Sequence, residues 1–332
     1  MAHATIRDVA RRANVSVASV SRALNGHDNV RPELREKVKV AARELGYVPH
    51  AGARSLSLAR AHAIGVMLPD LHGEFFSEVV RGMDRAASAR GLQLLLSNMH
   101  ADPEQAVDAV RTMRGRVDGL VIMAPDIDTA TLIEQLSPSL PAILINSRSD
   151  TPDRPRIRVD NEAGAEAMVD HLVDTGYRHI VHIAGAACNA EAADREQGYR
   201  RAMRRHDLEP RVIAGDFTEE GGAKAAEALL ADRRGADAVF AANDMMAIGA
   251  LVALRDAGIA VGREIGIAGF DDIPLARLIS PGLTTMRVNI ADIGASALNR
   301  IAAIVDGDDD TDSEFRHPEL VVRASTSRRA EQ

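Results

Sequence analysis

The chain has 332 residues, about twice the usual domain size, so we expect two or three domains. Hydrophobic residues make up 46% and charged residues 27%, as in ordinary globular proteins. No run of about 18 apolar residues predicts a membrane span. Residues 1–8 contain no apolar signal core, and Cys188 is the single cysteine, which excludes an internal disulfide. We therefore expect a cytoplasmic protein with no membrane partner.

The net charge of −8 averages two unlike parts of the chain. Residues 1–60 hold 11 Arg and Lys against 5 Asp and Glu, a net charge of +6. The remaining residues hold 29 basic and 43 acidic side chains, a net charge of −14. A basic head on an acidic body indicates a polyanion partner for the head alone.

Two short amphipathic helices joined by a tight turn are predicted at the start of the head. Apolar residues recur at helical spacing over 6–13 and again over 17–24. Thr5 and Asp8 provide a capping box, Asn14 tolerates the left-handed backbone of a turn, and Ser16 caps the second helix. The pattern predicts a helix-turn-helix, although a purely structural three-helix bundle contains similar helix pairs.

A third helix is predicted from Pro32 to Leu45. Apolar residues, among them Leu34 and Val38, form one stripe along it. Pro32 suits the first turn of a helix, and Gly46 suits a C-terminal cap. The head is therefore predicted to be an all-α domain covering residues 1–46.

The head also carries a longer and more specific pattern. Its segments are Thr-Ile-Arg-Asp-Val-Ala at 5–10, Val-Ser-Val-Ala-Ser-Val-Ser-Arg-Ala-Leu-Asn at 15–25, Leu-Gly-Tyr-Val-Pro at 45–49 and Arg-Ser-Leu at 54–56. Together they closely resemble the head of the LacI/GalR family of bacterial transcription regulators. The resemblance implies that the second helix lies in the major groove of operator DNA, where each base pair presents a distinct edge.

By this resemblance the second helix reads bases with Val17, Ala18 and Arg22. The first two offer apolar contact, best suited to thymine methyl groups, whereas Arg22 can form two hydrogen bonds with guanine. Val20 and Leu24 are expected in the core of the head. Contacts to phosphates position a protein without reading sequence, and they are expected from Thr5, Ser16, Ser19, Ser21 and Asn25. A capping role for Ser16 is compatible with such a contact.

Residues 47–60 form the expected hinge. The segment is too short to be a stable helix by itself. In the family the hinge becomes helical on operator DNA, and Leu56 matches the residue that wedges into the minor groove and bends the duplex. His50 and Arg54 are expected to contact DNA beside it, although Asn is usual in the family at position 50. Packing of Leu56 on the body as a linker residue is the alternative. Arg31 is a further departure, since Ser or Thr usually caps the third helix.

From about residue 61 short apolar runs alternate with longer amphipathic segments. This alternation predicts parallel sheets with helices on both faces, and the number of units predicts two lobes, 61–158 with 288–317 and 159–287 with 318–328. The fold class expected is thus a helix-turn-helix head and hinge helix followed by a two-lobe α/β core, 61–332. Predicted strands are 64–68, 92–96, 120–123, 142–145, 179–183, 238–241, 265–269, 283–288 and 320–322. Predicted helices are 77–90, 103–114, 161–175, 195–205, 219–230 and 245–257, and the acidic run 306–312 is expected to be a solvated loop.

Polar residues follow several predicted strands of the body. Ligands of open parallel sheets bind outside the carboxyl ends of the strands, where these residues lie. The residues are Asp70, Asn146, Asn243 with Asp244, and Asp271 with Asp272. The body also resembles the sensor of the same family, itself similar to periplasmic sugar-binding proteins. The matching motifs are Asp160-Asn161, Arg195-x-x-Gly198-Tyr199, Asn243-Asp244 and Gly269-Phe270-Asp271-Asp272.

This resemblance spans residues 4 to about 328 and implies a small-molecule effector held by Asn146, Arg195, Asn243 and Asp271. Asp, Asn and the forked Arg side chain can each make two hydrogen bonds to the hydroxyls of a sugar. Asp70 joins this set, and Phe75 and Phe217 match positions that flank the ligand. Other roles are expected for their neighbours: Asp244 and Asp272 cap helices or touch ligand, Phe76 and Phe270 lie in the core, and Asp160 braces the lobes.

The favoured hypothesis is a homodimeric repressor that reads a pseudo-palindromic operator and responds to an effector, a sugar or glycoside. Two half-sites need two heads, hence the dimer. The chain lacks P-loop, dinucleotide, Gly-x-Ser-x-Gly and His-Glu-x-x-His motifs, so we expect no enzyme, cofactor or metal site, and structural roles for His171 and His182. Two alternatives stay open. One is a solute-binding protein or sugar-converting enzyme on the same two lobes. The other is a regulator whose purine co-repressor stacks between Phe75 and Phe217.

Overall fold

The computed structural model of the protein describes residues 4–24, 30–47, 60–147, 154–232 and 235–327. Its internal contacts divide the chain into two units, a head and a body, with the main boundary between His62 and Ala63. Most of the predicted hinge lies outside the described residues. The same is true of the predicted DNA contacts of Asn25, His50, Arg54 and Leu56.

The head contains three helices, α1 (Ile6–Ala13), α2 (Val17–Leu24) and α3 (Pro32–Glu44), as the sequence pattern predicts. The turn between α1 and α2 is set locally: Asn14 adopts the left-handed conformation with φ 50°, and the Ser16 hydroxyl oxygen accepts a hydrogen bond from the amide of Ser19 at 3.1 Å. Helix α3 ends one residue earlier than predicted, and Gly46 follows with φ 61°. Arg31 stands at its N-cap without a capping side-chain hydrogen bond.

The core of the head takes one fully buried valine from each helix, Val9, Val20 and Val38. Each buried side chain of this size stabilises the fold by roughly 1.5–3 kcal/mol. Leu24 packs at the edge of the same cluster. The predicted core roles of Val20 and Leu24 are therefore confirmed, and the opposite face of α2 stays exposed.

The body contains two parallel sheets, as predicted. The larger sheet has the strand order β11-β5-β4-β3-β1-β2 and defines the first lobe. The smaller sheet has the order β7-β6-β8-β9 and defines the second lobe. The remaining pair, β10 and β12, is antiparallel. The strands are β1 (Ala63–Leu68), β2 (Gln93–Asn98), β3 (Gly119–Met123), β4 (Ala142–Ile145), β5 (Arg156–Val159), β6 (Ile180–Ile183), β7 (Arg211–Ile213), β8 (Ala238–Ala241), β9 (Gly266–Ala268), β10 (Thr285–Arg287), β11 (Ser313–Arg316) and β12 (Glu319–Val321).

Helices connect these strands and pack on the sheets. They are α4 (Glu74–Arg90), α5 (Pro103–Met113), α6 (Thr129–Glu134), α7 (Asn161–Asp174), α8 (Ala190–Arg205), α9 (Glu219–Ala231), α10 (Asp244–Asp256) and α11 (Ile290–Asp306). No helix in the described ranges is both long and apolar enough to cross a membrane.

Several elements were missed at the sequence level. Strands β5, β7 and β11 have only three or four residues and few fully buried side chains, so their apolar signal is weak. Helix α11 was missed although its buried residues, among them Ile290, Ile293, Ala297 and Ile301, recur at helical spacing. The acidic run 306–312 is a solvated loop after Asp306, as predicted: its residues are exposed except Asp310, which is partly buried and binds Arg300 with N–O distances of 2.6 and 2.7 Å.

Helices α4 and α11 touch through their backbones. A Cβ atom placed on Gly82 would lie 1.8 Å from the carbonyl oxygen of Ala291, and one on Gly294 would lie 2.2 Å from that of Val79. Only glycine leaves room for an approach this close. This crossing fixes α11 against the first lobe and holds the chain between β10 and β11 in place.

Candidate functional site

The exposed face of α2 carries the predicted base-reading residues. Val17 is 42% exposed although it is a large apolar residue, and Ala18 and Arg22 are exposed beside it. Among the described residues of the head, no acidic side chain pairs with Arg22. An apolar and a cationic group are therefore both presented to solvent on one helix, which is the arrangement that major-groove recognition uses.

The hydroxyl groups near this face already have partners within the head. The Thr5 hydroxyl donates to Asp8 Oδ2 at 2.7 Å, and the Thr5 amide donates to the same oxygen at 2.9 Å. These hydrogen bonds hold the pKa of Asp8 below its usual value. The Ser16 and Ser19 hydroxyl oxygens lie 2.9 Å apart. A phosphate contact by Thr5 would therefore require its hydroxyl proton to turn away from Asp8.

The body contains a cavity of about 390 Å³ at the carboxyl ends of strands from both sheets. This volume lies within the usual range for small-molecule sites. Six of the seven predicted effector residues line it: Asp70, Phe75, Arg195, Phe217, Asn243 and Asp271. The structure thus brings together residues that are separated by up to about two hundred positions in the chain.

Arg195 is buried beneath the cavity and is held mainly by neutral groups. Its Nε donates to the Asn161 Oδ1 at 2.8 Å, and its Nη1 donates to the carbonyl oxygen of Ala242 at 2.6 Å. The guanidinium carbon lies 4.0 Å from the centroid of the Phe270 ring, a cation–π contact. The remaining nitrogen, Nη2, lies 3.4 Å from Glu191 and 3.3 Å from Asp271.

Asp271 is 4% exposed, and its Oδ1 has no hydrogen-bond donor in the structure. The 3.3 Å contact with Arg195 is an ion pair whose direction does not suit a hydrogen bond. Burial raises the pKa of Asp271 to about 7, and Arg195 opposes the shift without cancelling it. The backbone here is fixed by the Asp271 amide, which donates to the carbonyl oxygen of Met286 at 2.8 Å. The carboxylate is therefore a buried acceptor beside the cavity.

Asn243 holds the chain that carries Phe217. Its Oδ1 caps α10 by accepting from the amide of Met246 at 2.9 Å, and its Nδ2 donates to the carbonyl oxygen of Phe217 at 3.0 Å. Phe217 has φ 69°, and its ring lies against Gly185, where a Cβ would be 2.3 Å from the ring. Gly185 was not singled out in the sequence, because its role depends on this contact across 32 positions.

Asn146 does not line the large cavity. It lies at a neighbouring cavity of about 160 Å³ together with Ser147 and Arg158. Its Nδ2 donates to Glu191 Oε1 at 2.8 Å, and its Oδ1 accepts from the amide of Val159 at 3.2 Å. Glu191 lines both cavities, so it separates Asn146 from the large one.

Two residues at the start of α8 were not predicted from the sequence. Asn189 caps the helix by accepting from the Ala192 amide at 3.1 Å, and Glu191 follows in its first turn. The sequence-based prediction began this helix at Arg195, so it skipped the turn. An Asn cap followed by an acidic residue is a usual helix-start signal and could have extended the prediction.

One more aromatic ring lines the cavity than was predicted, that of Phe76. Phe75 and Phe76 meet edge to face with ring centroids 5.5 Å apart, and both line the cavity. Phe76 packs against the core, as predicted, but it is only partly buried and also borders the cavity. Phe270 is fully buried, as predicted. Met123 and Met245 add further apolar lining.

The neighbouring acidic residues bind within the protein. Asp244 accepts from the Ile273 amide at 2.9 Å and from the Thr285 hydroxyl at 2.6 Å. Asp272 binds Arg287 and Arg323 through its two oxygens, at 2.7 and 2.6 Å.

Asp160 and the two histidines also have partners within the body. Asp160 caps α7 through the Ala163 amide at 3.1 Å and lies 3.3 Å from His317. His182 stacks on Tyr199 and meets the Phe240 ring at a tilt of 46°, and burial lowers its pKa to about 3. His171 lies 3.0 Å from the Thr326 hydroxyl. In the described ranges no three His, Cys, Asp or Glu side chains are grouped to hold a metal ion.

Two family descriptions match the chain. Residues 5–50 match "Bacterial regulatory proteins, lacI family", and residues 169–326 match "Periplasmic binding protein-like domain". The first match covers the three helices of the head, and the second covers most of the second lobe and the chain beyond it.

Three relatives align over nearly the whole chain. Catabolite control protein A of Priestia megaterium is 34% identical over 300 residues, which cover 89% of this chain and 90% of that protein. The ribose operon repressor of Escherichia coli is 35% identical and covers 89% of this chain and 91% of its own length. The HTH-type transcriptional repressor CytR of Escherichia coli is 33% identical over 328 residues, 97% of this chain and 96% of that protein.

Solved structures agree with these relatives. A lac repressor dimer bound to operator and to the anti-inducer ONPF superimposes with a TM-score of 0.88 at 28% identity, covering 98% of this chain and 99% of that one. The complex of the transcriptional regulator CelR with cellobiose has a TM-score of 0.73 at 28% identity, over 97% and 99% of the two chains. The relatives named here are transcription regulators, not enzymes. The chain therefore belongs to the lacI family of bacterial regulatory proteins and is a DNA-binding transcription regulator.

Proposed function

We propose that the protein is a homodimeric repressor whose affinity for a pseudo-palindromic operator changes when a sugar or glycoside occupies the large cavity. The observation that carries the proposal is the presence, in one chain, of an exposed face formed by Val17, Ala18 and Arg22 and of a buried Arg195–Asp271 pair beside a ligand-sized cavity. Repression is supported by the names of two relatives, and operator binding by the solved lac repressor complex. Such a protein acts in the bacterial cytoplasm, where operator DNA lies, and needs no catalytic group.

In the head, Val17 and Ala18 contact thymine methyl groups and Arg22 reads a guanine. Thr5, Ser16, Ser19, Ser21 and Asn25 bind phosphates, and Leu56 wedges into the central minor groove beside His50 and Arg54. The exposed face of α2 supports the first three roles.

In the body, Asp271, Arg195 and Asn243 bind the hydroxyls of the effector, Asp70 closes the rim, and Phe75 and Phe217 cover its ring. We assign Asn146 a positioning role, because it acts on the cavity through Glu191. The two lobes meet around this site: the Ala190 amide donates to the carbonyl oxygen of Pro125 at 3.0 Å, and Asn189 donates to Asp126 at 2.9 Å. An effector that strengthens or breaks these contacts shifts the balance between lobe arrangements, a coupling of typically about 1–3 kcal/mol.

The test of DNA recognition begins with selection of bound duplexes from a random pool by the purified full chain. Titration of the selected duplex then compares wild type with Arg22→Ala. Loss of the paired guanine contact should remove about 1–3 kcal/mol of discrimination at that base pair. Arg11→Ala, which removes the same charge from an exposed site on α1, is the matched control and should weaken all sequences alike. Full discrimination in Arg22→Ala, or a pool that yields no common sequence, would refute the proposal.

One observation favours a second effector class. Phe75, Phe76 and Phe217, half of the six phenylalanines in the chain, line the cavity and could stack on a purine. Thermal melting against sugars, glycosides and purines separates the two classes, because a ligand at about 100 times its Kd raises stability by about 2.7 kcal/mol. Stabilisation by purines alone, together with tighter operator binding in their presence, would favour the co-repressor.

A further inference from the structure

The two lobes of the body also meet beside the large cavity through a side chain of the first lobe. Glu74 is the first residue of α4, and its Oε2 accepts a hydrogen bond from the backbone amide of Leu275 at 2.9 Å. Leu275 belongs to a short 3-10 helix, Pro274–Arg277, in the second lobe. Donor and acceptor are 201 positions apart in the chain, so no local pattern predicts the contact.

The amide of Leu275 needs an acceptor that the 3-10 helix does not supply. The first amides of a helix have no partner within it. Pro274 has no amide proton, and Ile273 at the N-cap offers no capping side chain. The Ile273 amide binds Asp244 within the second lobe at 2.9 Å. The first amide inside the helix is therefore that of Leu275, and it is capped by Glu74 from the other lobe.

Both partners of this hydrogen bond are fixed within their own lobes. Helix α4 is held by its close crossing with α11. In the 3-10 helix Ala276 is fully buried, its amide donates to the carbonyl oxygen of Ile273 at 3.0 Å, and its carbonyl oxygen accepts from the Leu283 amide at 2.8 Å. A rotation of one lobe against the other would therefore break the hydrogen bond, because neither end can move with the other lobe.

The hydrogen bond joins two segments that both line the cavity. Phe75 and Phe76 follow Glu74 in the first turn of α4, and both rings border the cavity. Asp271 lies shortly before Leu275 in the chain and borders it as well. The bond therefore helps to fix the distance between the aromatic lining from the first lobe and the carboxylate from the second.

Glu74 has no competing partner among the described residues. Its carboxylate makes this hydrogen bond and no ion pair there. Glu78, one turn later on the same helix, instead accepts from Arg81 of that helix at 2.8 Å. Two glutamates on one helix thus differ in whether they bind the second lobe, and Glu78 offers a matched control.

On the basis of the proposed function, we propose that Glu74 is a positioning residue for the effector response, because its hydrogen bond to Leu275 holds the two lobes in the arrangement that forms the large cavity. Without the bond the lobes populate other arrangements as well, and operator affinity changes with the fraction of molecules in each. A ligand between Phe75 and Asp271 acts on the same hydrogen bond, since it sets the distance between the segments that the bond joins.

Hydrogen exchange of the Leu275 amide, measured on the full chain without added ligand, tests the contact. Glu74→Ala should speed exchange at this amide by about tenfold, because hydrogen bonds to charged acceptors are among the stronger ones. Glu74→Gln keeps a carbonyl oxygen at the same place and should restore most of the protection. Glu78→Ala should leave the rate unchanged. Equal rates in wild type and Glu74→Ala would overturn the inference, whatever the protein does on DNA.

Titration of the selected operator duplex, again without added ligand, tests the role. Glu74→Ala should shift the operator Kd by about threefold or more, whereas Glu74→Gln and Glu78→Ala should stay within about twofold of wild type. A shift in either direction supports the role, and its sign shows whether the described lobe arrangement favours or opposes operator binding. An unchanged Kd in Glu74→Ala, despite faster exchange, would leave Glu74 a local cap and overturn the inference. Failure of the proposed function would appear separately, as a pool that yields no common sequence, and the exchange rates would then decide the inference alone.

Discussion

Gly185→Ala is the sharpest test of how the cavity is built, because the clash that it creates is confined to one side chain. The new Cβ would lie 2.3 Å from Cζ of Phe217 and 2.6 and 2.7 Å from the two Cε atoms. An ordinary contact is about 3.4 Å, so the ring must retreat by about 1.1 Å. The ring is only partly buried and borders the cavity, so it can move in that direction without disturbing the sheet.

We expect the free energy of unfolding to fall by roughly 1–2 kcal/mol, the lower part of the range for overpacking. Loss of the aromatic face should weaken binding of the compound identified by the melting screen by about two- to tenfold, since such contacts contribute about 0.5–1.5 kcal/mol. Operator affinity without effector should not change. Urea unfolding, calorimetry and operator titration measure the three quantities.

Two further variants make the argument refutable. Gly282→Ala is the control, because its Cβ would meet Arg323 at an ordinary 3.4 Å. In the double variant Gly185→Ala/Phe217→Ala the clash is absent, so Gly185→Ala should cost much less stability in the Phe217→Ala background than in wild type. An equal cost in both backgrounds would show that the ring does not rest on Gly185.

Three further outcomes are expected. Burial raises the folded-state pKa of Asp271 from 3.8 to about 7, so the folded state holds this proton more tightly than the unfolded state and the free energy of unfolding falls as pH rises from about 4 to 7. Urea titrations should show this loss in wild type and a smaller one in Asp271→Asn. Parallel curves of stability against pH would contradict the assignment. Gly82→Ala would force a Cβ to within 1.8 Å of the Ala291 backbone oxygen, so it should cost more than about 3 kcal/mol or prevent folding, whereas a normal melting temperature would disprove the close crossing. Asp8→Ala removes both hydrogen bonds from Thr5 and should destabilise the head, measured by the unfolding of its helical signal, and an unchanged head would argue against the capping box.

The head could be predicted from its sequence almost to the residue. Its helices are set by local features, such as Asn14 at a left-handed turn and Ser16 at a helix cap, and these act over three or four positions. In the body, the long apolar strands could be predicted from local sequence in the same way. Strands such as β5 and β11, which are short and only partly buried, carry no comparable local signal and exist because neighbouring strands pair with them.

Asp70, Asn243 and Asp271 could be named because polar groups follow buried parallel strands, which deliver them to a common edge. Arg195, Phe75 and Phe217 could be named only through the resemblance to the family. Their roles could not be assigned in this way. Asn146 follows β4 as predicted, yet Glu191 stands between it and the large cavity. Arg195 binds mainly Asn161 and Ala242, which are 34 and 47 positions away in the chain.

The sequence by itself therefore determined the helix-turn-helix and the two parallel sheets, because periodicity, capping and strand order act locally or repeat along the chain. Strand ends together with the family resemblance supplied the candidate effector-binding residues. Only the tertiary structure decided which carboxylates share Arg195, which ring borders the cavity and which glycine makes room for it. These properties depend on distances between residues that are remote in sequence. Burial then makes each of those distances matter, since a charge or an unpaired oxygen enclosed in the protein is far more costly than one in water.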